Sequence, residues 1–306
     1  MQALATSIYP AASWRHAGDL AWAWTLANDA PMPTAVWREN GRVLAWAWFE
    51  AQDELTVQVD PAHPELADDV LTWPHGITAA RESTAAADFT VAGDFTTTVD
   101  FTTAADFTVT ISANEQHLVP ALTARGFSAQ LDGPFFSCLS LPLTGDLPPV
   151  PELPAGYVIR SVRDEDIPSR AAIHRAAWNS TDITTERHAA MRRLWPYKPE
   201  FDLVAFSPKG EAAAYYQGWY DELNGIGLFE PVGTHLEHRR LGLSRAVGIA
   251  LLHAFADAGG KLAAVCPRGD AAYPVPKLVY ESMGFREYSR TFTYERMRRP
   301  QVAQEP

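Results

Sequence analysis

His238-Arg239-Arg240-Leu241-Gly242-Leu243-Ser244-Arg245 stands between a strand-like run and an amphipathic helix. A short basic loop that carries a glycine and opens into a helix is suited to an anion. The first N–H groups of a helix have no intrahelical acceptor, and the helix dipole adds about half a positive charge at that end. Gly242 lets the backbone approach an anion closely, and Arg239 and Arg240 supply further donors for phosphate oxygens. A lone Arg-x-x-Gly is common, and two arginines in a loop also read as solvated surface charge. The strand–loop–helix context favours a phosphorylated ligand.

The pattern around this loop gives the fold of the second half. Leu243, Val247, Leu251, Leu252 and Phe255 recur at helical spacing, so a helix spans 242–257 and stops at Gly259-Gly260. Upstream, 202–207, 211–221 and 226–234 read as strands joined by turns at 208–210 and at Asn224-Gly225. Before them come a strand over 157–163 and a helix from Asp164 to Trp178, with acids in its first turn. A second helix follows, capped by Thr184 or Thr185. Downstream, 261–266 reads as a strand, 275–282 as a helix stopped by Gly284, and 285–294 as a last strand.

The clearest boundary lies just before this half. PLTGDLPPVPELPAG, residues 142–156, holds five prolines, which suit neither a sheet interior nor a helix interior, so it reads as an extended linker. The first half repeats the outline loosely: a helix over 18–27, strands over 34–37, 43–49 and 55–59, and a helix over 64–71. A strand over 108–111, a helix over 115–125 and a strand over 135–141 complete it. Both halves end on helix, Gly-Phe, strand (Gly126-Phe127 and Gly284-Phe285), which suggests an internal duplication. Asp-Phe-Thr recurs with a period of six from Asp88, Asp94, Asp100 and Asp106. In a strand that period puts every Phe on one face; a tandem duplication tolerated in a surface loop is the plainer account.

Composition narrows the classes. The 306 residues are 47% apolar and 20% charged, enough for two globular cores. The formal charge of −12 argues against a nucleic-acid partner and is compatible with a cationic substrate, although acidity alone also serves solubility. No run approaches the roughly 18 apolar residues of a membrane span. Residues 1–10 lack the features of a signal peptide. Cys138 and Cys266 are far apart in sequence, offer no metal spacing and fit a reducing, cytoplasmic compartment. Seven of the ten tryptophans precede residue 75; they read as fill for the first core and its contact with the second half.

Residues 156–296 resemble the GNAT family of acyl-CoA-dependent N-acetyltransferases. Its pyrophosphate-loop signature, Arg/Gln-x-x-Gly-x-Gly/Ala, corresponds to Arg239-Arg240-Leu241-Gly242-Leu243-Ser244, with Ser244 departing at the last position. Residues 230–235 resemble the strand that precedes the loop, and Tyr280-Glu281-Ser282-Met283-Gly284-Phe285 the Tyr-x-x-x-Gly-Phe element. The resemblance implies a mixed α/β fold of two tandem GNAT-like domains, each a mostly antiparallel sheet flanked by helices. They would be a degenerate domain over 1–141 with a repeat-bearing insertion at about 76–107, the linker 142–156, and a catalytic domain over 157–306. The loop of the first half, Val59-Asp60-Pro61-Ala62-His63-Pro64, has neither arginine nor glycine and builds no such anion site.

The resemblance further implies acetyl transfer from acetyl-CoA to a primary amine of a small molecule or peptide, by direct attack. The cosubstrate would lie on Val232, Gly233, Thr234, Arg239, Arg240, Leu241, Gly242, Leu243 and Ser244, with the Val232 N–H facing the thioester oxygen. Tyr280 would be the acid for the leaving thiolate, although a packed aromatic at a helical position is an ordinary alternative. Glu230 shares a face with Val232 by the period of two and is a candidate base; a strand carboxylate is as often solvated or salt-bridged. Direct attack needs neither a metal nor a cysteine nucleophile. A non-catalytic CoA-binding sensor or scaffold is the rival expectation, and monomer and homodimer both stay open.

Overall fold

The computed structural model describes residues 1–27, 33–51, 53–79 and 107–296. The first half runs α1 (Gln2–Ile8), α2 (Ala17–Leu26), β1 (Thr34–Glu39), β2 (Arg42–Ala51), β3 (Glu54–Val59) and α3 (Leu66–Ala79), then β4 (Thr108–Ser112), α4 (Val119–Ala124), β5 (Phe127–Ala129) and β6 (Ser137–Pro142). The second runs β7 (Val158–Ser161), α5 (Ile167–Trp178), α6 (Thr185–Met191), β8 (Tyr197–Phe206) and β9 (Ala212–Asp221), then β10 (Ile226–Thr234), α7 (Leu243–Asp257), β11 (Leu262–Val265), α8 (Val275–Ser282) and β12 (Arg286–Arg296). α1 was not anticipated from the sequence. The Asp-Phe-Thr copies that begin at Asp88, Asp94 and Asp100 lie outside the described residues. From the fourth copy Phe107 enters the first core.

The halves share one mixed sheet in the order β1-β2-β3-β4-β12-β6-β11-β10-β9-β8-β7, with β5 also on β12. The closing strands are exchanged. β6, from the first half, pairs with β11 of the second, while β12 reaches back to pair with β4 and β5. β6 and β12 also pair with each other, so the seam is continuous hydrogen-bonded sheet. This exchange was not legible from the sequence, because both strands look like ordinary terminal strands of their own halves.

Each half has one parallel pair that opens early. β10 and β11 pair only from Ile226 to Leu228, and β3 and β4 only at Glu54 and Leu55. Beyond those points the strands diverge. In the second half α7 packs beneath the sheet through Phe255, and Gly218 and Gly227 make room for its ring, since a Cβ at either would collide with it. The linker is not free: Leu143, Leu147 and Leu153 pack on the second core. Of the early tryptophans, Trp14, Trp22, Trp37, Trp46 and Trp48 are buried as expected, whereas Trp24 is 64% exposed. No helix among the described residues is long and apolar enough to cross a membrane.

Candidate functional site

β10 ends in the opening loop. Residues 236–238 form a short 3-10 turn, and the His235 side chain accepts from the Glu237 N–H at 3.3 Å. Arg240 (φ 62°) and Gly242 (φ 75°) both take left-handed backbone, which folds the loop back over the start of α7. Gly242 is the N-cap and no side chain caps the helix; its first turn carries no acid. The leading N–H groups of α7 are therefore free for an anion. Arg239 and Arg240 are exposed, and neither forms an ion pair among the described residues. Ser244, the departure from the Gly/Ala pattern, is tied down by a 2.9 Å hydrogen bond with the Tyr216 hydroxyl. His238 is held by the Tyr157 hydroxyl at 2.9 Å and sits beside the loop.

The corresponding place in the first half is arranged in the opposite way. Asp60 accepts from the Ala62 N–H and pairs with Arg42, so the turn satisfies its own donors. The first turn of α3 carries Asp68 and Asp69, which repel an anion. Leu118 and Leu122 line an apolar space there together with Val57, Val70, Leu71 and Val109. The start of α3 is thus electrostatically unlike the start of α7.

The open edge of β10 carries the other candidates. The register of β10 on β9 shifts between Phe229 and Val232, with a cis peptide at Glu230-Pro231. Strict alternation therefore breaks between Glu230 and Val232, although both are half-buried. The Glu230 carboxyl is pushed up to about 8, chiefly by burial and further by Asp19, with Arg15 pulling the other way. Tyr280 is 4% exposed and packs edge-on against Phe285 and tilted against Phe229. Burial raises its phenol well above 10, with Tyr216, Glu230, Tyr215 and Cys266 adding to the rise. Glu230 and Tyr280 thus lie within electrostatic range of each other at the point where β10 and β11 part.

Sequence reasoning missed two features. The first is a polar network under α5. Arg170 and Asp202, 1% and 0% exposed, pair at 2.8 Å, with His188 at 3.4 Å from Asp202. Burial opposes the charge on Asp202, but Arg170 and His188 outweigh it and hold the carboxyl at about 2. The Arg170 guanidinium covers the Tyr215 ring at 3.7 Å. The Tyr215 hydroxyl shares a 2.7 Å hydrogen bond with His174 Nδ1 and accepts from the Trp178 indole at 2.9 Å; burial lowers His174 to about 3, so its ring is neutral. The same indole reaches the Val232 carbonyl at 3.1 Å, so the network ends on β10 where Val232 was expected to act.

The second missed feature joins the cysteines. Val265 pairs with Leu139, which places Cys266 beside Cys138 where β11 meets the exchanged β6. Both are free thiols. Asp270 pairs with Arg268, and Tyr273 is 54% exposed. No group of three potential metal ligands occurs among the described residues.

No protein-family model and no curated protein matches the sequence. Solved structures do match. A tandem GNAT protein from the clavulanic acid biosynthesis pathway aligns at 19% identity and a TM-score of 0.62, over 96% of this chain and 91% of that one. A GCN5-related N-acetyltransferase from Sphaerobacter thermophilus aligns at 19% identity and a TM-score of 0.60, over 91% and 84%. An acetyltransferase of the GNAT family from Colwellia psychrerythraea aligns at 11% identity and a TM-score of 0.56, over 86% and 85%. At these identities the likeness is one of fold, and the fold of this chain is that of a tandem GNAT protein.

Proposed function

We propose that the second half, residues 157–306, transfers an acetyl group from acetyl-CoA to a primary amine, and that the first half, 1–141, is a degenerate partner without a cosubstrate of its own. The observation that carries this reading is the uncapped start of α7. It is preceded by two left-handed residues and two unpaired arginines, and it stands in the same half as the diverging strands β10, which holds Glu230, and β11, and as α8, which holds Tyr280.

Arg239, Arg240 and the N–H groups of 241–244 would bind the pyrophosphate, and residues 232–234 the extended arm. A free alkylamine is mostly protonated at neutral pH and must lose a proton before it attacks. Glu230, with its raised affinity for protons, takes that proton and passes it to solvent. The amine nitrogen bonds to the thioester carbon, the oxygen gains charge opposite the Val232 N–H, and the C–S bond then breaks. The thiolate leaves with the sulfur electron pair, and the nitrogen, cationic since the attack, loses its second proton. Tyr280, which keeps its proton across the neutral range, gives that proton to the sulfur to make CoA thiol and is reprotonated by the one the nitrogen releases.

Calorimetry with acetyl-CoA, followed by thiol release over a panel of amines, tests this reading. Binding that disappears in Arg239→Glu/Arg240→Glu, together with steady thiol release, is expected. Tight binding with no turnover across a broad panel would instead favour a CoA sensor or scaffold, and absence of binding to folded protein would end both readings.

A further inference from the structure

Residues 9–19 cross from one half to the other. Gln58 of β3 donates to the Ser13 hydroxyl at 2.7 Å and to the Arg15 carbonyl at 3.0 Å, which fixes the segment on the first half. A few residues later Gly18 lies flat on Trp219 of β9, where any Cβ would strike the indole. The Trp219 indole in turn donates to the Glu230 carbonyl. This path delivers Arg15 and Asp19 to the place where β10 and β11 part, close enough for both to act on Glu230.

The charges there do not balance. Arg15 is committed to Glu50 at 2.7 Å and covers the Trp14 ring at 4.1 Å. Asp19 accepts from the His16 N–H at 2.6 Å, and no cation pairs with it or with Glu230 among the described residues. Asp19 and Glu230 are both half-buried. An independent sign of a ligand is the Tyr9 hydroxyl. It is 5% exposed, has no hydrogen-bond partner, and lies within electrostatic range of Tyr288, Cys266 and Asp19. The Tyr288 hydroxyl approaches it, yet neither completes a hydrogen bond. Buried hydroxyls are normally paired, so a polar ligand beside Asp19 is the missing partner.

We propose that Asp19, carried across from the first half, completes the acceptor site: with Glu230 and the Tyr9 hydroxyl it holds the acceptor's ammonium group. The acceptor is then a small cationic amine with no carboxylate beside its nitrogen. An amino-acid carboxylate would face Asp19 with Arg15 already paired to Glu50, and like charges in a partly desolvated seam repel strongly. The inference rests on the acetyltransferase reading above.

Titration of 1,4-diaminobutane and of glycine by calorimetry tests it, on wild type and on Asp19→Asn, each also titrated with acetyl-CoA. Asparagine retains an oxygen for the His16 N–H. The expected result is diamine binding weakened at least tenfold in Asp19→Asn, with acetyl-CoA affinity and Tm unchanged, and in turnover a rise in KM rather than a fall in kcat. If Asp19→Asn melts early, Tyr9→Phe, which leaves the α2 cap intact, is expected to weaken the diamine about threefold or more. Unchanged diamine affinity in the variant, glycine binding as tightly as the diamine, or no amine binding to wild type each overturns the inference. Wild type that binds the diamine but not acetyl-CoA sinks the acetyltransferase reading and leaves the carboxylate site standing.

Discussion

Glu230→Gln makes a prediction that does not depend on turnover. The Glu230 carboxyl rises from the ordinary 4.5 to about 8, through burial first and the neighbouring Asp19 second. At about 1.4 kcal/mol per pH unit the rise sets a ceiling of about 5 kcal/mol on the cost of ionising it in the folded state. Glu230 is half-buried, so water screens part of that, and roughly 2–3 kcal/mol is the more reasonable expectation. The sign follows from linkage. The folded protein holds this proton more tightly than the unfolded chain, so the stabilisation is complete below about 4.5 and is lost as pH climbs through about 8. Asp19, raised to about 6, and Glu115, raised to about 7, chiefly by burial, slope the same way; His16 and His174, lowered to about 3 by burial, slope oppositely. The difference between wild type and Glu230→Gln isolates one group. Denaturant unfolding from pH 4 to 9 should show the two proteins diverging with rising pH, Glu230→Gln becoming the more stable by roughly 2–3 kcal/mol at pH 9. Parallel curves across the range would refute the claim that this carboxyl is held protonated. In turnover, wild-type kcat/KM should rise with pH through a midpoint near 8, and Glu230→Gln should be slow and lack that step.

Other expectations follow from the same geometry. Arg239→Glu/Arg240→Glu should lower acetyl-CoA affinity at least a hundredfold by calorimetry, because two charge-assisted contacts of about 1.5–3 kcal/mol each become repulsions. Tyr280→Phe should cut kcat by about 10²–10⁴, the range of a positioned proton donor, with acetyl-CoA affinity unchanged; an unchanged rate would remove Tyr280 from the reaction. Acetyl-CoA should bind once per chain, since Asp68 and Asp69 stand in the first turn of α3 in the first half; a stoichiometry of two would contradict that reading of the charges. Asp202→Ala should cost about 3–5 kcal/mol in denaturant unfolding by stranding buried Arg170, and a loss below 1 kcal/mol would show the network to be solvated.

What was legible in the sequence is what depends on neighbours along the chain. Periodicity placed α7 and β8–β10 to within a few residues, apart from an earlier start to β8, and Gly259-Gly260 and Asn224-Gly225 marked real stops and turns. Thr184 caps α6 as expected, its side chain accepting from the Arg187 N–H. What stayed hidden depends on partners far away. Arg170 looks like an ordinary charge on a helix until Asp202, 32 residues on, is brought to it. Asp19 looks like a helix-start acid, which it also is, and nothing nearby announces Glu230. The closing strands β6 and β12 carry no mark of which sheet they enter, because exchanging equivalent strands preserves local pattern and burial alike.

The exchange bears on the site itself. With β6 seated between β11 and β12, the strand that follows the divergence of β10 and β11 is braced by a strand of the other half. Gly18 on Trp219 braces the opposite flank from the other half as well. Had each half kept its own closing strand, the first could lose its anion cradle and then drift in sequence without consequence for the second. If the second half holds the site proposed above, the first half cannot drift so freely: its β6 pairs with β11 and its Gly18 packs on Trp219. A degenerate half retained for this reason should tolerate substitutions around Asp60 and α3 far better than at Gly18 or along β6. A library scored separately for acetyl-CoA affinity and for amine KM would show that asymmetry only in the amine column.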